Sequence, residues 1–286
     1  MVRGIVAALG VASVVVGIPS SSAATSCSRT PTVGLEPRVE GAEGRYLLSV
    51  PARLRGRAPL LVALHGNPGA PEQEAASWGW ESVAPGFIVA YPSRTVHSTS
   101  EDTLPQMWDW SRGSRDVKLV LAIIRSIATT YCVDPARIHV TGTSGGAYMA
   151  QRLACDAADV VASIGEYAGG RPDVGYQTWG PARAGACTPS RPMPVIMFHG
   201  TADTNVPLGH GRSAMYLWGE LGGCRASATT RFADGSLTRL APCRDGVEVV
   251  WREYDGDDHF TAAMRHGDEI RRMQLAFFER HRRPVR

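Results

Sequence analysis

The sequence predicts an α/β fold in which a mostly parallel sheet carries helices on both faces. Short apolar runs rich in β-branched residues stop at turn residues, which is typical of buried parallel strands. Helical segments lie between these runs, and alternating strands and helices imply right-handed βαβ units. The chain has 286 residues, of which 44% are hydrophobic and 20% charged, so it is long enough to bury a large core.

The predicted strands are short apolar runs spread along the chain. The first alternates apolar and polar residues, whereas most of the others are continuous apolar stretches. Each stops at a turn or loop, for example at Pro51, Pro92 and Gly142. In chain order the predicted strands are Arg45–Val50, Pro59–Leu64, Phe87–Tyr91, Ile138–Thr141, Val160–Ile164, Pro194–Phe198 and Glu248–Tyr254.

Four helices are predicted between the strands. The first has one apolar stripe that includes Val117, Val120, Ile124 and Ile127. The second starts just past Ser144. In chain order the predicted helices are Asp116–Tyr131, Ala147–Ala154, Arg212–Leu221 and Asp268–His281.

Two long irregular stretches, residues 93–115 and 170–192, are rich in Gly, Pro, Ser and Trp. They are typical of long surface loops near a functional site rather than of domain boundaries. No repeat or low-complexity linker divides the chain. We therefore expect residues 25–286 to form a single domain.

The first 24 residues have the pattern of a secretory signal peptide. Arg3 precedes an apolar core from Gly4 to Ile18, and Ser22-Ala-Ala24 supplies small residues for cleavage. The core is too short for a comfortable membrane span. No later run is long enough to cross a bilayer, so we expect a secreted protein. A lipid anchor on Cys27 is the alternative.

Six cysteines remain after the predicted cleavage, and an even number in an exported chain suggests three disulfides. The residues alone leave 15 pairings open. No CxxC or Cys/His cluster indicates zinc, and we expect neither a metal nor a cofactor. The net charge of +3 provides no electrostatic case for nucleic acid. The cysteines are Cys27, Cys132, Cys155, Cys187, Cys224 and Cys243.

Ser144 lies in Gly142-Thr-Ser144-Gly-Gly146, directly after a predicted strand and directly before a predicted helix. This is the setting of a nucleophile elbow, in which a sharp turn exposes a serine above the sheet. The flanking glycines would let strand and helix approach closely. A polar residue in an ordinary glycine-rich turn is the alternative interpretation.

A serine hydroxyl needs a base to act as a nucleophile, and the base needs an orienting acid. In this arrangement the order along the chain is Ser, acid, His. Asp203 follows the strand ending at Phe198, and His259 follows the strand ending at Tyr254. A turn cap is the alternative role for Asp203.

Three other histidines follow Ser144 within reach of the role of base. His199 is expected to pack, and His210 and His266 look like loop or helix-surface residues. Asp257 and Asp258 are expected to raise the basicity of His259. They lack the spacing of a calcium loop.

An oxyanion hole requires two N–H donors aimed at the carbonyl oxygen. One donor should be the backbone N–H of Gly145, the residue after the nucleophile. The other should come from Asn67 in the turn sequence His65-Gly-Asn-Pro-Gly69. A plain tight turn is the alternative interpretation of that sequence.

Together these motifs resemble the secreted feruloyl and acetylxylan esterases of carbohydrate esterase family 1 and, more distantly, secreted polyhydroxyalkanoate depolymerases. The resemblance extends from Cys27 to about Phe278. The motifs that carry it are Arg45-Tyr46 through Pro51, Leu64-His-Gly66, Trp108 upstream of Asp116-Val117, Tyr131-Cys-Val-Asp134, Thr141-Gly-Thr-Ser144-Gly-Gly146 through Leu153-Ala-Cys155, His199-Gly-Thr-Ala-Asp203, Gly223-Cys224 and the Gly-Asp-Asp-His259 loop.

The resemblance implies an α/β-hydrolase fold with Ser144 as nucleophile, Asp203 as orienting acid and His259 as base. It also implies the pairings Cys27–Cys132, Cys155–Cys187 and Cys224–Cys243. Related sequences often carry Gly-His-Thr-Trp-Pro around the histidine, whereas this chain has Asp-Asp-His259-Phe-Thr. The missing tryptophan favours the carbohydrate esterases over the depolymerases.

Trp108, Trp110 and Phe260 are expected to form an aromatic wall for a feruloyl ring. Packing in the core or in loops is the alternative role for them. The leading functional hypothesis is a secreted serine esterase acting on feruloyl or acetyl esters of xylan. Depolymerisation of a polyester such as polyhydroxybutyrate is the alternative within the same fold. A catalytically silent hydrolase fold that binds a wall polymer is the alternative from another class.

Overall fold

The computed structural model describes residues 27–32, 34–40, 44–54, 56–95, 107–175 and 180–284. The predicted signal peptide, residues 1–24, lies outside these ranges, as do parts of the two irregular stretches. No helix in the described ranges combines the length and the apolar character needed to cross a membrane.

Ten strands form one sheet in the described part of the chain, in the order β1-β2-β4-β3-β5-β6-β7-β10-β9-β8. The six strands from β4 to β10 in this order are parallel, and antiparallel strands extend both edges. The strands are β1 (Glu36–Glu40), β2 (Gly44–Ser49), β3 (Ala58–Leu64), β4 (Ile88–Pro92), β5 (Val133–Gly142), β6 (Ser163–Tyr167), β7 (Val195–Gly200), β8 (Ser227–Phe232), β9 (Gly235–Leu240) and β10 (Val249–Tyr254).

Helices cover both faces of this sheet, as the sequence predicts. Leu60 and Val62 of β3 pack with α3, α4 and α5, whereas Leu61 and Ala63 pack on the opposite side with the apolar cluster of α1, α2 and α6. The helices are α1 (Pro71–Trp78), α2 (Trp80–Val83), α3 (Arg115–Thr130), α4 (Gly145–Asp156), α5 (Leu208–Gly222) and α6 (Thr261–Arg280).

The parallel strands place their carboxyl ends along one edge of the sheet. β3, β5, β7 and β10 end at Leu64, Gly142, Gly200 and Tyr254. The loops that follow these ends carry Asn67, Ser144, Asp203 and His259, so the fold gathers them at the edge where open α/β sheets bind ligands.

All seven predicted strands overlap a strand, and all four predicted helices overlap a helix. The fifth predicted strand, Val160–Ile164, begins and ends three residues before β6, because the apolar residues Val160–Ala162 lie in the segment that precedes the strand. Helix α6 begins at Thr261 rather than Asp268. The sequence analysis did not identify β1, β8, β9, α1 or α2.

Three disulfides join Cys27 to Cys132, Cys155 to Cys187 and Cys224 to Cys243. This is the pairing that the resemblance implies. The first ties the start of the described chain to the segment before β5. The second ties the end of α4 to the stretch before β7.

Candidate active site

Ser144 occupies a sharp turn between β5 and α4, as predicted for a nucleophile elbow. Its φ of 54° and ψ of −114° lie in a region that favours glycine. A Cβ added at Gly142 would lie 2.3 Å from the carbonyl oxygen of Gly146, and one added at Gly146 would lie 2.2 Å from that of Leu64. Both glycines are therefore required for the close approach of β5, α4 and β3.

His259 and Asp203 form a buried hydrogen-bonded pair. The distance from His259 Nδ1 to Asp203 Oδ2 is 2.7 Å. The other carboxylate oxygen, Oδ1, accepts from the backbone N–H groups of Asn205 and Val206 at 2.9 and 2.8 Å. These contacts hold the Asp203 carboxylate in place, and the carboxylate orients the imidazole through Nδ1. The other ring nitrogen, Nε2, is then the one that can accept a proton from a group in the cavity.

Ser144 and His259 line the same cavity, which has a volume of about 850 Å³. Within the described residues, no hydrogen bond joins their side chains. Bonds between a nucleophile and its base are often completed only when substrate is bound. The geometry thus brings the three predicted residues to one site, with the serine–histidine contact still open.

The two predicted oxyanion residues also lie together. A Cβ added at Gly145 would fall 2.2 Å from Asn67 Cγ, so the Asn67 side chain occupies the space beside that glycine. Trp108 donates its backbone N–H to Asn67 Oδ1 at 2.9 Å and thereby holds this side chain. Gly145 is the first residue of α4, where N–H groups have no partner within the helix.

Trp108 and Trp110 do not form the expected aromatic wall. Trp108 is 1% exposed and Trp110 is completely buried, and neither lines the cavity. The indole N–H of Trp108 donates to the carbonyl of His65, so the ring supports the Asn67 loop from behind. Phe260 does line the cavity and is 62% exposed.

Three other histidines lie near the site, and one of them, His199, also approaches Asp203, with 3.4 Å between His199 Nε2 and Asp203 Oδ2. His199 is buried against Trp251 and bonds the carbonyl of Val206, consistent with the packing role expected for it. Burial lowers its pKa. His210 lies 3.3 Å from the hydroxyl of Tyr148. His65, which also lines the cavity, has its pKa lowered to about 4 by burial.

Among the described residues, neither Asp257 nor Asp258 forms a hydrogen bond or ion pair with the His259 imidazole, although Asp258 interacts electrostatically with His259. That these carboxylates raise the basicity of His259 stays a prediction. Asp257 is buried and bonds Arg265 and His266. Asp258 accepts from the backbone N–H groups of Phe260 and Thr261, and these bonds lower its pKa. Both carboxylates therefore shape the loop that carries the histidine.

Sequence reasoning missed Tyr167, the last residue of β6. Its backbone carbonyl accepts from the N–H of Ser144 at 2.8 Å, and its hydroxyl donates to the carbonyl of His259 at 2.7 Å. The ring also lines the cavity. No local motif marks such a residue, because its partners lie 23 and 92 positions away in sequence.

One group of side chains has the ligand spacing of a metal site. Asp234, His266 and Glu269 offer donor atoms within 4.8 Å of one another. However, Arg252 already bonds both carboxylates. The Arg252 guanidinium thus supplies the positive charge that a metal ion would bring to Asp234 and Glu269.

Together, this sheet, the elbow at Ser144 and the Ser, Asp, His order define an α/β-hydrolase fold. The family model described as "Esterase PHB depolymerase" matches residues 45–175. The chain is 25% identical over 231 residues to a bifunctional acetylxylan esterase/xylanase of Neocallimastix patriciarum, covering 78% of this chain and 32% of that protein. It is 26% identical over 228 residues to feruloyl esterase B of Piromyces equi, covering 71% and 39%.

The chain thus spans only about a third of the length of these curated relatives. Among solved structures, it matches an acetyl xylan esterase from Aspergillus awamori with a TM-score of 0.66 and 18% identity, covering 86% of this chain and 98% of that one. At that identity the structural match supports the fold alone. The comparisons confirm the resemblance that the sequence motifs predict.

Proposed function

We propose that this protein is a serine esterase that hydrolyses carboxylic esters through Ser144, His259 and Asp203. The observation that carries the proposal is the 2.7 Å bond between His259 and Asp203 at a cavity that also contains Ser144 in a strained elbow. The names of the relatives and the family description support the same reaction class.

In the proposed mechanism, Ser144 Oγ attacks the ester carbonyl carbon while His259 Nε2 removes the hydroxyl proton. The negative charge that develops on the carbonyl oxygen is stabilised by the N–H groups of Gly145 and Asn67. His259 then protonates the alcohol as the ester C–O bond breaks, which leaves an acyl group on Ser144. Water attacks this acyl-enzyme and gives its proton to His259, and the acid is released.

The proposed substrates are feruloyl or acetyl esters of xylan in plant cell walls. The cavity volume of about 850 Å³ suits a ligand of this size. Trp78, Tyr167 and Phe260 supply aromatic surface in its lining. The three disulfides suit an oxidising compartment, which supports secretion through residues 1–24 as the proposed route.

A substrate panel tests this proposal. The wild-type protein should hydrolyse p-nitrophenyl acetate together with methyl ferulate or acetylated xylan, and Ser144→Ala should lower kcat by about 10³-fold or more. A fluorophosphonate should label the wild type and not Ser144→Ala. A wild type that resists labelling and hydrolyses nothing in the panel would instead favour a polymer-binding protein without catalysis.

Polyester depolymerisation is the second candidate function. Phe260 and Met264 border the cavity and are 62% and 82% exposed, which gives its rim an apolar surface. Such a rim suits an insoluble polyester as well as a feruloyl group. Release of soluble hydroxyacid from polyhydroxybutyrate film, without turnover of methyl ferulate or acetylated xylan, would reverse the order of the two candidates.

A further inference from the structure

A second polar group lies on the cavity wall and has no part in the mechanism above. Glu74 of α1 lines the cavity together with Thr143 and Trp78. The hydroxyl of Thr143 donates to Glu74 Oε1 at 3.2 Å and accepts from the indole N–H of Trp78 at 2.8 Å. Thr143 directly precedes Ser144, and Ser144 and Glu74 line the same cavity.

The Glu74 carboxyl is nearly buried and has no counter-charge. Its exposed fraction is 4%, and no arginine, lysine or histidine of the described residues forms an ion pair with it. Thr143 is the only side chain in the described ranges that bonds it, through Oε1. Among the described residues no hydrogen bond uses the second oxygen, Oε2, so this atom keeps its hydrogen-bonding capacity at the cavity wall.

We propose that Glu74 binds a hydroxyl group of the ester substrate and makes the cavity selective for hydroxylated esters. This inference rests on the proposed esterase function and names a specificity determinant of the same site. A hydroxyl group fits this position because it can donate to a carboxylate and accept from a carboxylic acid. Bare hydrocarbon at the same position would leave Oε2 buried without a partner.

The chemistry at neutral pH agrees with this assignment. Burial raises the pKa of the Glu74 carboxyl to about 8, so the group is largely protonated at pH 7. Because Oε1 already accepts from Thr143, the proton of the neutral acid belongs on Oε2. A neutral donor at this place binds a hydroxyl without the desolvation cost of a buried carboxylate.

The hydroxyl can belong to either half of the ester. In a feruloyl-type acyl group it is the phenol, and in a sugar ester it is a hydroxyl next to the esterified carbon. Two matched pairs of esters separate these sources. Methyl p-coumarate and methyl cinnamate differ only in the acyl hydroxyl, whereas 2-hydroxycyclohexyl acetate and cyclohexyl acetate differ only in the alcohol hydroxyl.

The experiment measures kcat/KM for both pairs in the wild type, Glu74→Gln and Glu74→Leu. We expect the wild type to prefer the hydroxylated member of at least one pair by about tenfold, as one hydrogen bond to a buried group allows. Glu74→Leu should reduce that ratio to within about twofold of unity, and Glu74→Gln should retain part of it. Glu279→Leu, the same change at an exposed position of α6 outside the cavity lining, should leave the ratio within about twofold of the wild type.

Binding to Ser144→Ala makes the result independent of hydrolysis. Calorimetry with the same four esters should show the preference in Ser144→Ala and its loss in Ser144→Ala/Glu74→Leu. A ratio that stays at the wild-type value in Glu74→Leu, or that falls equally in Glu279→Leu, would overturn the role of Glu74. A preference in binding without any turnover in the wild type would overturn the esterase proposal and support Glu74 as a hydroxyl-binding residue.

Discussion

Ser144 shows how a single residue can be held in an unfavourable conformation by its neighbours. The close contacts of Gly142 and Gly146 leave the turn little freedom, and the hydrogen bond from Ser144 N–H to the Tyr167 carbonyl fixes its direction. A non-glycine residue with positive φ costs on the order of 1–3 kcal/mol. A serine that remains at this position despite that cost in stability indicates that its hydroxyl group has a function.

Replacing Ser144 by glycine and by alanine tests this strain. At an ordinary position glycine is the less stable of the two by roughly 0.5–1 kcal/mol. At position 144 we expect the reverse, with Ser144→Gly more stable than Ser144→Ala by about 1 kcal/mol, because glycine adopts this φ without strain. Denaturant unfolding of both variants measures the difference. Equal stabilities, or a more stable alanine variant, would show that the turn stores no strain.

Glu166 is a second residue whose environment predicts a measurable effect. It is completely buried in β6, where one oxygen accepts from the N–H of Gly169 at 2.8 Å. Burial raises the pKa of this carboxyl from 4.5 to about 8. Between these two pH values the folded protein keeps a proton that the unfolded chain has lost. The unfolded state binds fewer protons, so stability falls as pH rises through this window and levels off above it.

Glu166→Gln should therefore gain relative to the wild type as pH rises. We expect the difference in Tm, variant minus wild type, to be larger at pH 8.5 than at pH 5 by roughly 10 °C. A pKa shift of this size corresponds to several kcal/mol, and each kcal/mol moves Tm by about 2–4 °C in a domain of this size. Comparing the two proteins at each pH cancels the other titrating groups. A difference that stays constant between pH 5 and 8.5 would mean that Glu166 titrates normally.

At the scale of elements, the sequence predicted the buried parallel strands well and the edges poorly. β3 and the first four residues of β7 are continuous apolar runs, and burial on both faces produces that pattern. β8 is exposed along its whole length and largely polar, so it gives no comparable signal. Helix α1 was missed because Glu72, Gln73 and Glu74 interrupt its apolar pattern, and one of these three is buried at the cavity.

The residues of the candidate site also differ in how well the sequence predicts them. Ser144, Gly145 and Asn67 belong to local turn motifs, and Asp203 and His259 follow from chain order after predicted strands. Tyr167 and Glu74 act across long sequence separations. Their neighbours become visible only when β6 pairs with β5 and α1 packs near Thr143, the residue that follows β5. Local patterns therefore predict the reacting groups better than the side chains that hold or surround them.

Tyr167 connects two elements of the site, and its hydroxyl is the testable part of that connection. Tyr167→Phe keeps the ring and the backbone contact to Ser144 but removes the bond to the His259 carbonyl. We expect kcat to fall by about tenfold with little change in KM, because a small displacement of the base affects the reaction more than binding. The rate of fluorophosphonate labelling should fall in parallel.

The control for that variant is Tyr216→Phe, which removes an exposed hydroxyl on α5. It should leave kcat and the labelling rate unchanged. If Tyr167→Phe lowers Tm by several degrees while kcat and labelling stay at the wild-type level, the hydroxyl has only a structural role.

At the scale of the whole molecule, Arg152 holds the irregular segments against the sheet. It is completely buried in α4, where it pairs with Asp156. Its guanidinium donates to five backbone carbonyls, those of Trp110, Pro172, Ala184, Gly185 and Ala186. The first belongs to the segment that supports the Asn67 loop through Trp108. One buried cation thus links both irregular stretches to α4, the helix that begins directly after Ser144.

Removing this cation should destabilise the whole domain and also disturb the site. We expect Arg152→Met to lower the free energy of unfolding by about 3–5 kcal/mol, because it leaves Asp156 without its partner and several buried carbonyls without donors. Arg125→Met, on the exposed face of α3, should change it by less than about 0.5 kcal/mol. Since Trp110 and Trp108 lie in one segment, Arg152→Met should also lower kcat at temperatures where it remains folded. A stable variant with reduced kcat would place the effect on the Asn67 loop alone, and a variant as stable and active as Arg125→Met would show that Arg152 does not organise these segments.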